Sequence, residues 1–176
     1  MKKPILIAAA LLAFSLFSNG VSAQTAPAAP AGDVVATLQT SDNGTVAAFL
    51  IKVANLNQTL GAGPFTVFAP TNDAFTKLSS AKLDSLVSDP AKLATVLKAH
   101  VVVGKFTKGD IVKALNASKD RKTTFKTVDG GTLTLAYVDK KLQLSDEKGN
   151  TANMLLYDLQ ATNGVVDGLS DVLVGK

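Results

Sequence analysis

The sequence predicts an α+β fold, because helical spacing crowds the first half of the 176-residue chain and short strands fill the second. Three observations carry that prediction. Val46, Phe49, Leu50, Val53 and Leu56 recur at the period of an amphipathic helix. From Thr123 onward, apolar and β-branched runs are parted by Asp129-Gly130-Gly131 and Asp139-Lys140-Lys141, which read as hairpin connections. Between the halves, Phe65, Val67 and Ala69 alternate with Thr66 and Phe68, giving a strand with both faces at least partly buried.

The N-terminus is expected to be removed before the domain works. Lys2 and Lys3 precede an almost wholly apolar run over residues 5–17, and Val21-Ser22-Ala23 offers small residues for cleavage. That is the layout of a secretory signal peptide over residues 1–23. Its run of about 13 apolar residues falls short of the roughly 20 that cross a bilayer. No second run of that length follows, so no stable membrane insertion is expected after cleavage. Residues 24–32, rich in Pro and Ala, read as a disordered linker. Cysteine is absent, which excludes a disulfide framework. The remaining unit, residues 33–176, must therefore stabilise itself by core burial, and a chain of roughly 150 residues buries about 68–70% of its unfolded surface. With a net charge of +4 that includes both signal lysines, the chain is only mildly basic.

Taken in order, a short helix is expected over residues 33–40, started by Asp33. Asp42 or Asn43 caps the next, which carries the Val46–Leu56 stripe until Gly61 and Gly63 break it. Pro70 stops the strand at 65–69 because it has no N–H for a ladder. Thr71, Asn72 and Asp73 then supply caps for a helix beginning at Ala74-Phe75. Helical pieces follow at 74–78 and 81–87. Ser88-Asp89-Pro90 opens a longer helix, with proline where its missing N–H costs nothing. Its apolar stripe is Leu93, Val96, Leu97 and His100. Val101-Val102-Val103 is a strand closed by Gly104, and a helix capped by Thr107 covers 107–115. Strands are expected at 124–128, 132–138, 142–145 and 154–160. Asn163-Gly164 makes a tight turn before a last strand over 165–174.

The string Gly63-Pro64-Phe65-Thr66-Val67-Phe68-Ala69-Pro70-Thr71-Asn72-Asp73-Ala74-Phe75 resembles the opening signature of the fasciclin domain family. Residues 93–104 (LATVLKAHVVVG) are similar to its central element, and residues 158–174 (DLQATNGVVDGLSDVLV) to its closing one. The resemblance implies a wedge-shaped β-sandwich of about seven strands with a layer of helices packed mainly from the N-terminal half. It also implies extracellular adhesion and matrix contacts, with a cell-surface or matrix protein or polysaccharide as partner. Some relatives bind carotenoids, so a carrier of an apolar small molecule, such as a carotenoid or lipid, is the alternative. Ala99 stands where the family usually has tyrosine, and Asp167 where it has histidine. Asp158-Leu159 approximates the Asp-Ile pair linked to adhesion in animal members, and is the candidate contact. Thr66, Phe68, Pro70, Asn72 and Phe75 at the strand-to-helix junction, His100, and the Asn163-Gly164 turn are the structural signature residues.

No catalytic residue, cofactor or metal site is expected. His100 is the one histidine and falls on an apolar stripe, so it reads as a core residue whose ring bonds to backbone or a nearby carboxylate. A zinc site would have to lean on carboxylates, and no Gly-x-Ser-x-Gly elbow is present to expose a nucleophile. Asp167 and Asp171 lack the ligand density of a calcium loop and read as turn and edge residues. Lys119, Arg121, Lys122 and Lys126 read as the solvated edge of a hairpin. The alternative for these cations is contact with acidic polysaccharide or headgroups. No aromatic residues interleave with them, which argues against nucleic acid. The sequons at Asn43, Asn57 and Asn116 are taken as chance in a chain whose short signal is bacterial in type.

Overall fold

The computed structural model describes residues 30 and 32–174, apart from the side chains of residues 156 and 157. The expected signal peptide and most of the expected linker lie outside the described residues.

The described residues open with three helices: α1 (Val34–Thr40), α2 (Thr45–Val53) and α3 (Asn57–Gly61). The stripe through Leu56 does not form one helix. Asn55 turns left-handed at φ 57°, and Leu56 becomes the N-cap of α3. Asparagine tolerates that conformation better than other residues with a Cβ. Strand β1 (Phe65–Pro70) follows, and Pro70 is its last residue. Then come α4 (Asn72–Thr76), α5 (Ser80–Val87), α6 (Pro90–Ala99), β2 (Val101–Val103) and α7 (Lys108–Ala117). The second half runs β3 (Lys122–Lys126), β4 (Thr132–Val138), β5 (Lys141–Asp146), β6 (Thr151–Ala161) and β7 (Gly164–Leu169).

These strands make one seven-stranded sheet in the order β2-β1-β7-β6-β5-β4-β3. β1 and β7 are parallel and every other pair is antiparallel. The two ends nearly meet, since Val102 bridges Thr127 and the Val128 N–H donates to Val101 O at 2.8 Å. The eleven-residue β6 serves both arms of the fold, pairing with β5 through residues 151–153 and with β7 from Met154 onward. A register shift between Leu155 and Leu159 interrupts that second pairing, and Asp158 there has φ 49°. Such a bulge bends a long strand, which lets one sheet fold over on itself.

Burial sorts by strand face. Val67 and Ala69 point into a core shared with α1, α2, α3 and α6. Phe68 points the other way, into the core between the sheet arms with Val102, Phe125, Leu135, Leu144 and Leu169. The period-2 alternation of β1 thus feeds two cores from one strand.

Several boundaries differ from expectation, and two of them have a local cause. Asp139 and Lys140 both have positive φ, 47° and 64°, so a two-residue turn closes the hairpin and β5 starts at Lys141. The last strand ends at Leu169, not at residue 174. The Ser170 N–H still donates to Asn153 O at 2.9 Å, but the Asn153 N–H goes to the Ser170 hydroxyl at 3.0 Å instead of to a backbone carbonyl, and Leu173 turns back toward His100.

Candidate functional site

At the strand-to-helix junction, Thr71 performs the cap, accepting the Ala74 N–H on its hydroxyl at 3.2 Å. Asn72 does something else. Its Oδ1 accepts the Val46 N–H at 3.0 Å, and its Nδ2 donates to Asp42 O at 3.1 Å. It therefore caps α2, whose own N-cap, Gly44, has no side chain for the purpose. Neither Asp42 nor Asn43 takes that role. Thr66 is fully buried and receives the Phe106 N–H at 2.9 Å while donating to Gly104 O at 2.8 Å, so it pins the loop after β2. Phe68 and Phe106 both pack against Phe125 in tilted geometry, with ring centroids 6.0 and 4.9 Å away. Phe75 on α4 is buried in the core under the helices.

His100 caps α6 at its C-terminus and is 2% exposed. Its Nε2 accepts the Leu173 N–H at 3.0 Å, which requires that nitrogen to be unprotonated. Nδ1 therefore carries the proton and donates it to Val96 O at 2.7 Å. Burial holds the His100 pKa below its ordinary value, outweighing the Val96 carbonyl and the more distant Asp146 and Asp129. A neutral imidazole with both nitrogens bonded to backbone has neither a proton to trade nor a lone pair for a ligand.

Asn163 joins three segments. Its Oδ1 accepts the Val34 N–H at 2.9 Å, its Nδ2 donates to Leu60 O at 2.7 Å, and its own carbonyl receives the Phe65 N–H at 3.0 Å. Gly164 beside it lies against the Phe65 carbonyl, where any Cβ would collide. Asp158 accepts the Lys108 N–H at 3.1 Å and the Gln160 amide at 3.0 Å, and Leu159 packs against the helical core.

Asp167 is not an edge residue. It is fully buried on β7, between β1 and β6, and its Oδ1 accepts the Asp158 N–H at 2.8 Å. The bulge creates that role, because it turns a β6 amide out of the ladder and a side-chain oxygen must receive it. Asp171 pairs with Lys77 at 3.0 Å. Burial, the largest influence, opposes its charge, but hydrogen bonds from Ser170 and Lys77 prevail and hold its pKa below the usual carboxylate range. Among the described residues, no group of three or more His, Cys, Asp or Glu side chains could hold a metal. Among them, too, no helix is long and apolar enough to cross a membrane.

The site that sequence reasoning missed is a groove of about 700 Å³ between α7 and the strands β4, β5 and β6. Its apolar lining comes from Val112, Leu115, Leu142, Met154 and Leu155. Arg121, Lys140 and Lys141 also line it, and among the described residues no carboxylate does. The Arg121 guanidinium sits 5.8 Å from the Tyr137 ring centre, and its carbonyl accepts the Tyr137 N–H at 3.2 Å. The available signal was Val112. It is an apolar residue on α7 off the Ile111–Leu115 core stripe, and it is 42% exposed.

A family model described as the fasciclin domain matches residues 34–175. The chain is 32% identical over 125 residues to uncharacterized protein sll1735 of Synechocystis sp., covering 70% of this chain and 84% of that protein. It is 32% identical over 120 residues to the cell surface glycolipoprotein MPB83 of Mycobacterium bovis, covering 68% of this chain and 48% of that one. Among solved structures, the FAS1 domain pair from the insect cell adhesion molecule fasciclin I superposes with a TM-score of 0.62 at 19% identity. That match covers 82% of this chain and 51% of the insect chain. The chain thus spans about half the length of these last two proteins.

Proposed function

This chain belongs to the fasciclin domain family, and from that premise we propose that it is a secreted, non-catalytic module for contacts with a cell-surface or matrix protein or polysaccharide. The observation that carries the reading is His100. The one imidazole of the chain holds the end of α6 to the C-terminal segment, with both nitrogens engaged by backbone at 2.7 and 3.0 Å. Thr66, Asn72, Asn163 and Asp167 likewise use their polar atoms to join one segment to another. The similarity to a cell surface glycolipoprotein supports a place outside the cytoplasm, periplasmic or extracellular. Asp158 and Leu159 remain the contact candidates by resemblance. A deletion strain complemented with the wild-type chain tests the reading: attachment or aggregation falls in the deletion and returns on complementation. Unchanged attachment and aggregation across several conditions overturn it.

The groove favours a second reading, a carrier of an apolar small molecule. Its volume of about 700 Å³ lies inside the range of roughly 300–1,000 Å³ typical of small-molecule sites. An absorption spectrum and lipid extraction of the protein purified from its native source test it. A coloured or lipid-bearing preparation supports the carrier; a colourless, lipid-free one overturns it.

A further inference from the structure

Resting on the carrier reading, we propose that the groove beside α7 binds a long-chain carboxylate, with its chain along the apolar lining and its head at Arg121, Lys140 and Lys141. The chemistry of the two parts differs, and that difference selects the ligand. Val112, Leu115, Leu142, Met154 and Leu155 offer a surface that gains by covering hydrocarbon and nothing by covering a polar chain. Leu115 and Met154 are buried in the core between the sheet arms, so this part of the lining is rigid. An apolar ligand without a head would satisfy the hydrocarbon lining and leave three cations beside it unanswered.

Those cations have, among the described residues, no anion of their own. Among the described residues none of Arg121, Lys140 or Lys141 forms an ion pair, and the carboxylate nearest in sequence to the lining residue Ser170, Asp171, is paired with Lys77. Asp139, the acid beside Lys140, is exposed and does not line the groove. Arg121 is also held in place. Its backbone is left-handed at φ 49°, its carbonyl is bonded to β4, and its guanidinium rests near Tyr137. A guanidinium is a planar fork that presents two N–H groups to a carboxylate in parallel, which a lysine does not. The two lysines add positive charge with flexible stems whose methylenes cover the upper chain.

Calorimetric titration of the full chain with sodium oleate, kept below its micelle-forming concentration, and with oleyl alcohol tests the assignment. Oleate should bind at one site per chain, at least about tenfold more tightly than the alcohol. The triple variant Arg121→Gln, Lys140→Gln, Lys141→Gln changes only exposed side chains. It should lose that preference while still binding the alcohol. Val112→Glu, at an exposed helix position, should abolish binding of both. Equal affinities of oleate and alcohol for the wild-type chain overturn the head-group assignment and leave the carrier reading standing. Absence of binding by either compound overturns both. Undiminished binding in Val112→Glu places the ligand elsewhere and also overturns the assignment.

Discussion

Asn72 Oδ1 accepts the Val46 N–H at 3.0 Å, so the first turn of α2 is capped by a side chain 26 residues further along the chain. The same amide donates to Asp42 O and Thr45 Oγ1, and the Asn72 backbone N–H donates to Asn43 O at 3.0 Å. One side chain therefore locks the α1–α2 connection onto the end of β1.

Asn72→Ala should destabilise the domain by about 1–2 kcal/mol, the range for losing a helix cap. Asn72→Asp should lose less, since the accepting oxygen survives and gains from the helix N-terminus. Urea unfolding of the three proteins checks the order.

At the closing turn, Asn163→Ala leaves the Val34 N–H and Leu60 carbonyl without their partner and should cost about 2–6 kcal/mol, at about 1–3 for each group left unpaired. Gly164→Ala should cost at least about 3 kcal/mol, because a methyl forced against the Phe65 carbonyl must push apart the parallel β1–β7 pair. Thermal melts of both variants check this, and a Gly164→Ala melt matching wild type contradicts it.

His100→Ala should destabilise by roughly 1–3 kcal/mol, since it strands the Leu173 amide and the Val96 carbonyl. The loss should be seen first in hydrogen exchange at the Leu173 amide.

The pH dependence follows from the lowered His100 pKa. The native ring stays neutral while the unfolded ring takes a proton below about pH 6.5. The unfolded state thus binds more protons in that window, and stability falls as pH drops from about 6.5 toward the native pKa, by at most about 1.4 kcal/mol per pH unit. Denaturant midpoints measured from pH 7.5 to 5 should show this slope in wild type and a smaller one in His100→Asn. Equal slopes contradict the assignment.

Features whose physics is local were legible in the sequence. Asp33 caps α1 by accepting the Ala36 N–H at 2.8 Å, and Thr107 and Asp110 form a reciprocal capping box at the start of α7. Asp89 with Pro90 opens α6. Each is a contact across two or three residues, set by residue type and spacing alone. The alternation of β1 likewise announced burial on both faces, and the apolar stripe of α6 placed His100 inside.

The tertiary structure alone decided the rest, because it brings together residues that no spacing relates. Asn163 reads as a turn residue until α1 and α3 arrive at its amide. Asp167 reads as polar edge until the β6 bulge aims an N–H at it between two strands. The parallel pairing of β1 with β7 joins the two ends of the domain, and no local pattern encodes it. The groove has the same origin: Arg121 and Lys141 are ordinary surface cations, and Val112 an ordinary helix residue, until closure of the sheet sets them around one apolar trough.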